Sequence, residues 1–196
     1  YWLLMAIVPA ATARETPHAL RIENSLPVWQ IVIAYGIVST VFAQKKQQWT
    51  LVLLAVFLYA GNVSFYLHNY YRHYPVEFSG EWQYGYREAI RYAEEHKDAY
   101  KKIVMTETIG RPYMYTAFYT AYEPQAFLRT KNSSFDAAGF YHVYGFDKYE
   151  FVKEGVGDYE KNTLYILAPK DTPVGANVKQ TITALNGSPV LVVFEM

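Results

Sequence analysis

Leu26–Ala43, LPVWQIVIAYGIVSTVFA, runs 18 residues without a charge, and Trp49–Tyr71, WTLVLLAVFLYAGNVSFYLHNYY, runs 23. The hydrocarbon core of a bilayer is about 30 Å thick and takes roughly 20 apolar residues as helix. Both stretches meet that length. Between them lies the polar link Gln44-Lys45-Lys46-Gln47-Gln48. Two spans joined by so short a link are antiparallel neighbours, so the sequence predicts a transmembrane hairpin. Trp29, Trp49, Tyr66, Tyr70 and Tyr71 fall near the span ends, where amphipathic rings prefer the headgroup zone.

Upstream, Tyr1–Ala13 is also uncharged but only 13 residues long. It reads as the end of a preceding span, and the chain is expected to be a piece of a longer membrane protein. A signal-peptide core and a buried soluble helix are the competing readings. Charge does not set the orientation. Lys45 and Lys46 mark one side, and Arg14, Arg21, Arg72 and Arg87 mark the other. A literal count leans slightly against an external C-terminal region.

The average composition mixes two regimes. The chain has 196 residues, 18 Lys+Arg and 18 Asp+Glu, for a formal net charge of zero. Only six of those charges precede Arg72. The overall charged fraction of 18% is below the roughly 25% of a soluble domain because the first third is so apolar. Zero net charge argues against a nucleic-acid partner and against a strongly acidic ligand. The absence of cysteine excludes disulfides, thiolate catalysis and iron–sulfur ligation.

After a linker at 72–78, residues 79–196 read as a small α/β domain with a mixed sheet. Ser79 to Asp98 is predicted helical, with Ser79 as N-cap and Trp82, Tyr86, Ala89, Ile90 and Ala93 on one face. Lys102–Thr106 reads as a strand. Pro112 opens a Tyr-rich helix expected over Tyr113–Tyr122. Strands are expected near Phe140–Phe146 and over Thr163–Ala168. Val178–Leu185 and Pro189–Glu195, around Asn186-Gly187, read as a hairpin or a helix–turn–strand, and Asn-Gly favours the hairpin.

The motif search is mostly negative. The sequence carries no GxxxxGK[ST] loop, no GxSxG elbow and no HExxH. Gly155-Val156-Gly157 reads as a turn. His18, His68, His73, His96 and His142 include no pair at the i,i+3 or i,i+4 spacing of a helical metal site, so no metal and no cofactor are expected. Asn62, Asn132 and Asn186 each begin a glycan-acceptor triplet of a kind frequent by chance.

One polar segment stands out between the apolar helices, ARETPHALR at 13–21. Arg14 and Arg21 offer planar donor forks suited to phosphate oxygens, and His18 adds a donor or a proton shuttle. A solvated loop meeting lipid phosphates in general is the plainer reading. Tyr113, Tyr115, Tyr119 and Tyr122, with Tyr84 and Tyr86, suit either packing or sugar stacking. Glu107 and Arg111 flank a strand-to-helix turn, where open α/β sheets tend to carry sites. A surface ion pair is the default there.

The segment TPHALR ahead of an apolar span resembles the late external loop of polytopic, lipid-carrier-dependent glycosyltransferases, the relatives of protein mannosyltransferases and of the aminoarabinose transferase. YYRHYP, EWQYGYREAI, KIVMTETIGRPYMYTAFY and LNGSPVLVVFE, in that order, are similar to the C-terminal extracytoplasmic domain of bacterial members. The resemblance runs from about Ala10 to the end. It implies a C-type glycosyltransferase fold in a bacterial inner or plasma membrane, with the soluble domain outside the cytoplasm. The implied reaction moves a sugar from a polyprenyl-phosphate donor to an acceptor, and the catalytic carboxylate belongs to a region upstream of this sequence. The implied partners are membrane lipid, the lipid-linked sugar and further transmembrane helices of the same protein. Arg14, His18 and Arg21 become candidates for the donor phosphate, and Glu107, Arg111 and Tyr115 for sugar or partner contact. By this reading the chain alone is inactive. A non-enzymatic membrane-anchored binding domain and an accessory subunit of a membrane complex are the alternatives.

Overall fold

A computed structural model describes residues 1–12, 19–43, 46–153 and 155–196. The chain forms two units, Tyr1–Leu67 and His68–Met196.

The first unit is helical. Helices α1 (Trp2–Ala11) and α2 (Ala19–Ile22) are followed by a 3-10 turn, Glu23–Ser25, and by α3 (Leu26–Ala43). Helix α4 (Gln48–His68) begins the next long run, which continues through a π turn, Asn69–His73, and α5 (Tyr74–Glu77). That run of 30 residues has a mean hydropathy of 1.8, and Glu23–Ala43, 21 residues, has 1.7. Both are long and apolar enough to cross a bilayer. None of either apolar window is buried. Only Val41 is buried on α3 and no residue on α4, so the two helices bury little of one another. Helix continues through Glu77, across the stretch read as linker.

The second unit is built on a seven-stranded mixed sheet. Its strands are β1 (Lys102–Thr106), β2 (Asn132–Phe135), β3 (Tyr141–Phe146), β4 (Tyr149–Val152), β5 (Thr163–Leu167), β6 (Asn177–Thr183) and β7 (Pro189–Glu195). The spatial order is β2-β3-β4-β1-β5-β7-β6. Strand β1 pairs in parallel with both β4 and β5, and the remaining neighbours are antiparallel. The expected α/β domain with a mixed sheet is therefore present.

Helices α6 (Tyr86–His96), α7 (Pro112–Tyr119) and α8 (Pro124–Thr130) supply the residues that pack on one face of the sheet. Alternation along β5 sends Leu164 and Ile166 to that face, and Tyr165 and Leu167 to the other. The second face is covered by Val156, Tyr159 and Ala176, which pack against Val104, Tyr165, Val192 and Phe194. Tyr86, Ala89, Ile90 and Ala93 of α6 are all buried, as predicted, but Trp82 lies in the turns ahead of the helix, 67% exposed, and is not part of that face. Burying a side chain of the size of Ile90 contributes about 1.5–3 kcal/mol.

The helix starts later than the sequence suggests. Ser79 does not cap it, because its Oγ donates to the Val76 carbonyl at 3.1 Å. Turns occupy the stretch to Gly85, which has φ +111°. A Cβ there would also lie 2.9 Å from Val190 Cγ2, so the entry to α6 requires glycine on two counts. The Tyr-rich helix likewise ends at Tyr119, ahead of Ala121 at φ +48°. The C-terminal hairpin is present. Its loop, Leu185–Gly187, is closed by Ala184 N–H to Ser188 O at 2.8 Å, with Gly187 at φ +84°.

Candidate functional site

Parallel strands present their C-terminal ends as the usual place for a site in an α/β sheet. Here β1 ends at Thr106, and the chain turns through Glu107–Arg111 into α7. Gly110, at φ +147°, brings the turn against the side chain of Gln83, with less than 3 Å left for a Cβ. The Glu107 amide donates to Val152 O at 2.7 Å, so β4 holds the start of this turn.

The structure sorts the expected contact residues into two groups. Glu107 and Tyr115 gather around Tyr86. The buried Tyr86 hydroxyl donates to Thr106 O at 2.9 Å. Burial pushes its phenol well above the ordinary value, and the nearby Glu107 and Tyr115 add to the shift. The rings of Tyr86 and Tyr115 lie 5.2 Å apart, and Tyr115 stacks on Tyr119 at 6.3 Å. Tyr113, Tyr115 and Tyr122 pack against the core, so the tyrosine row is mainly structural.

Arg111 belongs to the other group. Its Nη1 donates to Tyr141 O at 3.1 Å. The Tyr141 hydroxyl accepts from Lys131 Nζ at 2.7 Å and donates to Ser133 Oγ at 2.9 Å. Those contacts, Lys131 first, hold the phenol below its ordinary range. Lys131 Nζ also lies over the Tyr141 ring, 5.1 Å from its centroid. Arg111 and Lys131 thus converge on one tyrosine. Arg111 meets its backbone carbonyl and Lys131 its hydroxyl. Sequence reading missed Lys131, Ser133 and Tyr141 because a hairpin turn, not local spacing, brings them together.

Of the phosphate-contact candidates, Arg14 and His18 lie outside the described residues. Arg21 is exposed on α2, one residue from its end.

Two of the clefts on the second unit differ in lining. One, of about 520 Å³, is lined by Asn132, Tyr144, Asp147, Tyr149 and Glu150 among others. The other, of about 300 Å³, is bounded mainly by tyrosines and Trp82. Trp82 Nε1 donates to Tyr74 Oη at 3.1 Å, and Tyr74 stacks on Tyr70 at 5.8 Å and on Phe78 at 4.9 Å. The π turn sets His68 and His73 five residues apart on one face, with Nε2 to Nε2 at 3.3 Å. Among the described residues no group of three or more His, Asp or Glu is placed to hold a metal ion.

Comparison of the chain with family models, with curated proteins and with solved structures finds no match.

Proposed function

We propose that this chain is the C-terminal part of an integral membrane glycosyltransferase. It serves transfer of a sugar from a polyprenyl-phosphate donor to an acceptor outside the cytoplasm, in a bacterial inner or plasma membrane. The observation that carries the membrane part is the almost wholly uncovered apolar surface of Glu23–Ala43 and Gln48–Glu77. Water does not favour such a surface, and lipid or further helices would cover it. The order of the sequence motifs supports the glycosyl-transfer part. Arg21, with Arg14 and His18, contacts the donor phosphate, and the catalytic carboxylate lies upstream. The soluble domain offers Glu107, Arg111 and Tyr115 near the acceptor side.

A membrane-anchored binding domain is the second reading. In its support, Arg111 and Lys131 place two cations at Tyr141, and among the described residues no nucleophile and base are aligned beside them. Sugar transfer from a synthetic polyprenyl-phosphate donor, assayed with the full-length protein in proteoliposomes, separates the two. Arg21→Ala is expected to raise the KM for donor. Donor KM unchanged in the Arg14→Ala, Arg21→Ala double variant would remove these residues from the phosphate site. No transfer from any lipid-linked sugar would leave the binding-domain reading.

A further inference from the structure

The apolar cleft of the second unit draws on three separate parts of the chain. Tyr70, Tyr71 and Tyr74 come from the helix end, Trp82 and Tyr84 from the turns before α6, and Leu185 from the β6–β7 hairpin tip. Its volume is about 300 Å³ and its wall is almost wholly side-chain carbon. Tyr71, Trp82 and Leu185 are 70%, 67% and 50% exposed, and the nearby Val76 and Phe78 are also exposed. A sugar site would set several polar groups against the ring hydroxyls, and this wall does not. The Trp82 indole N–H is already bonded to Tyr74, so the ring offers an apolar face with its polar edge satisfied.

Chain position says what covers it. The helix that begins at Gln48 rises about 30 Å by His68, one hydrocarbon thickness. Tyr70 to Tyr74 follow within six residues, so a span that ends at His68 leaves them at the headgroup layer. Tyrosine and tryptophan are the side chains that prefer that layer. Arg72, exposed between them in sequence, carries the charge that lipid phosphates attract.

We infer that this aromatic cleft, closed on one side by the β6–β7 hairpin tip, is a membrane-docking surface that seats the second unit in the headgroup layer. The inference rests on the membrane reading of the long helices. Its partner is the lipid surface itself. Leu185 acts as a foot inserted from the far end of the domain's sequence, so the domain touches the bilayer through two contacts and not through its tether alone.

The test uses the full chain in phosphatidylcholine nanodiscs. Trp2, Trp29 and Trp49 are changed to Phe, leaving Trp82 as the only tryptophan. Trp82 emission is expected to shift to the blue and to be lost when bromine sits near the headgroup end of the acyl chains. Iodide in the water is expected to quench it poorly. A second single-tryptophan chain, with Trp82→Phe added and Phe57→Trp as the reporter, tests the span. There, bromine near the bilayer centre is the effective quencher. If Phe57→Trp is quenched and Trp82 stays open to iodide, the spans stand and the docking surface is overturned. If neither is quenched by lipid bromine, the membrane reading and the docking surface both go. A nitroxide on Leu185→Cys gives an independent depth: immersion at headgroup level supports the proposal, and free tumbling in water overturns it.

Discussion

The carboxylate of Glu195 accepts a hydrogen bond from Tyr100 Oη at 2.9 Å, tying the end of the last strand to the turn that precedes the first. Lys179 Nζ sits 2.6 Å from the other oxygen, and Asn177 Nδ2 donates to it at 2.8 Å. Lys179 and Tyr100 hold the Glu195 carboxyl below the usual carboxylate range. Burial first, then Glu195, pushes the Tyr100 phenol up to about 12. A depressed carboxyl stabilises the fold above its unfolded pKa, and that contribution is lost as pH falls through the folded value. Glu195→Gln is therefore expected to flatten the acid limb of stability against pH. Denaturant midpoints of the full chain across acidic pH, followed by near-ultraviolet circular dichroism, check this. An unchanged acid limb counts against the ion-pair account.

Asp136 repeats the pattern at the β2–β3 hairpin. Its carboxylate accepts from the Phe140 and Ala138 amides, each at 2.9 Å, and pairs with His142 at 3.0 Å. The Phe140 amide leads the causes that lower its pKa. Asp136→Asn should lower the protection factor of the Phe140 amide near neutral pH, and acidification of the native chain should lower that protection factor too, once the slower intrinsic exchange in acid is divided out. Hydrogen-exchange mass spectrometry of that peptide reads both.

Lys131 sets the ionisation of Tyr141. Lys131→Met removes the cation, and the phenol is expected to move back up toward its ordinary value. Carbon-13 labelling of tyrosine, with Tyr141→Phe to assign the signal, measures the shift. A phenol that titrates identically in Lys131→Met would show that the 2.7 Å contact does not persist in solution.

Tyr86→Phe deletes one buried hydroxyl that donates to Thr106 O. The expected cost is about 0.5–1.5 kcal/mol, whereas Tyr86→Ala, which also opens a cavity, costs about 3–5 kcal/mol. Gly145→Ala places a Cβ 2.6 Å from the Tyr149 carbonyl oxygen in the β3–β4 hairpin, a clash with backbone and not with a yielding side chain. Overpacking of that kind costs about 1–3 kcal/mol. Urea denaturation gives all three values.

Leu58→Lys puts a charge in the middle of α4. In a translocon insertion assay it should disfavour the span by about 2.5–3.5 kcal/mol. Insertion indifferent to this change would mean that α4 is covered by protein and not by lipid.

How much of this was legible in the sequence depended on whether the signal was local. Lys102–Thr106 was readable to the residue, because an apolar β-branched run between charges permits little else. Asn186-Gly187 announced the last hairpin, although only Gly187 takes a positive φ. Helix α8 was hidden because Glu123 caps it, accepting from the Gln125 amide at 2.8 Å, where a shorter polar residue is the usual cue. Strand β4 is four residues long and carries no flanking glycine or proline to mark it. His68 and His73 were dismissed on α-helical spacing, and only a π turn makes five residues a neighbouring step. In the candidate site, Glu107 and Arg111 were found from their turn, but Tyr141 lies thirty residues beyond Arg111 and is paired with it only by the sheet.

The sheet ends on two strands that are poor templates. Strand β6 slips register at Val178/Gln180 and again at Ile182/Thr183, and β2 slips at Asn132/Ser133. A visiting chain seeking an uninterrupted row of amides and carbonyls meets a broken one on either margin. Such margins disfavour edge-to-edge pairing of one copy of the domain with another.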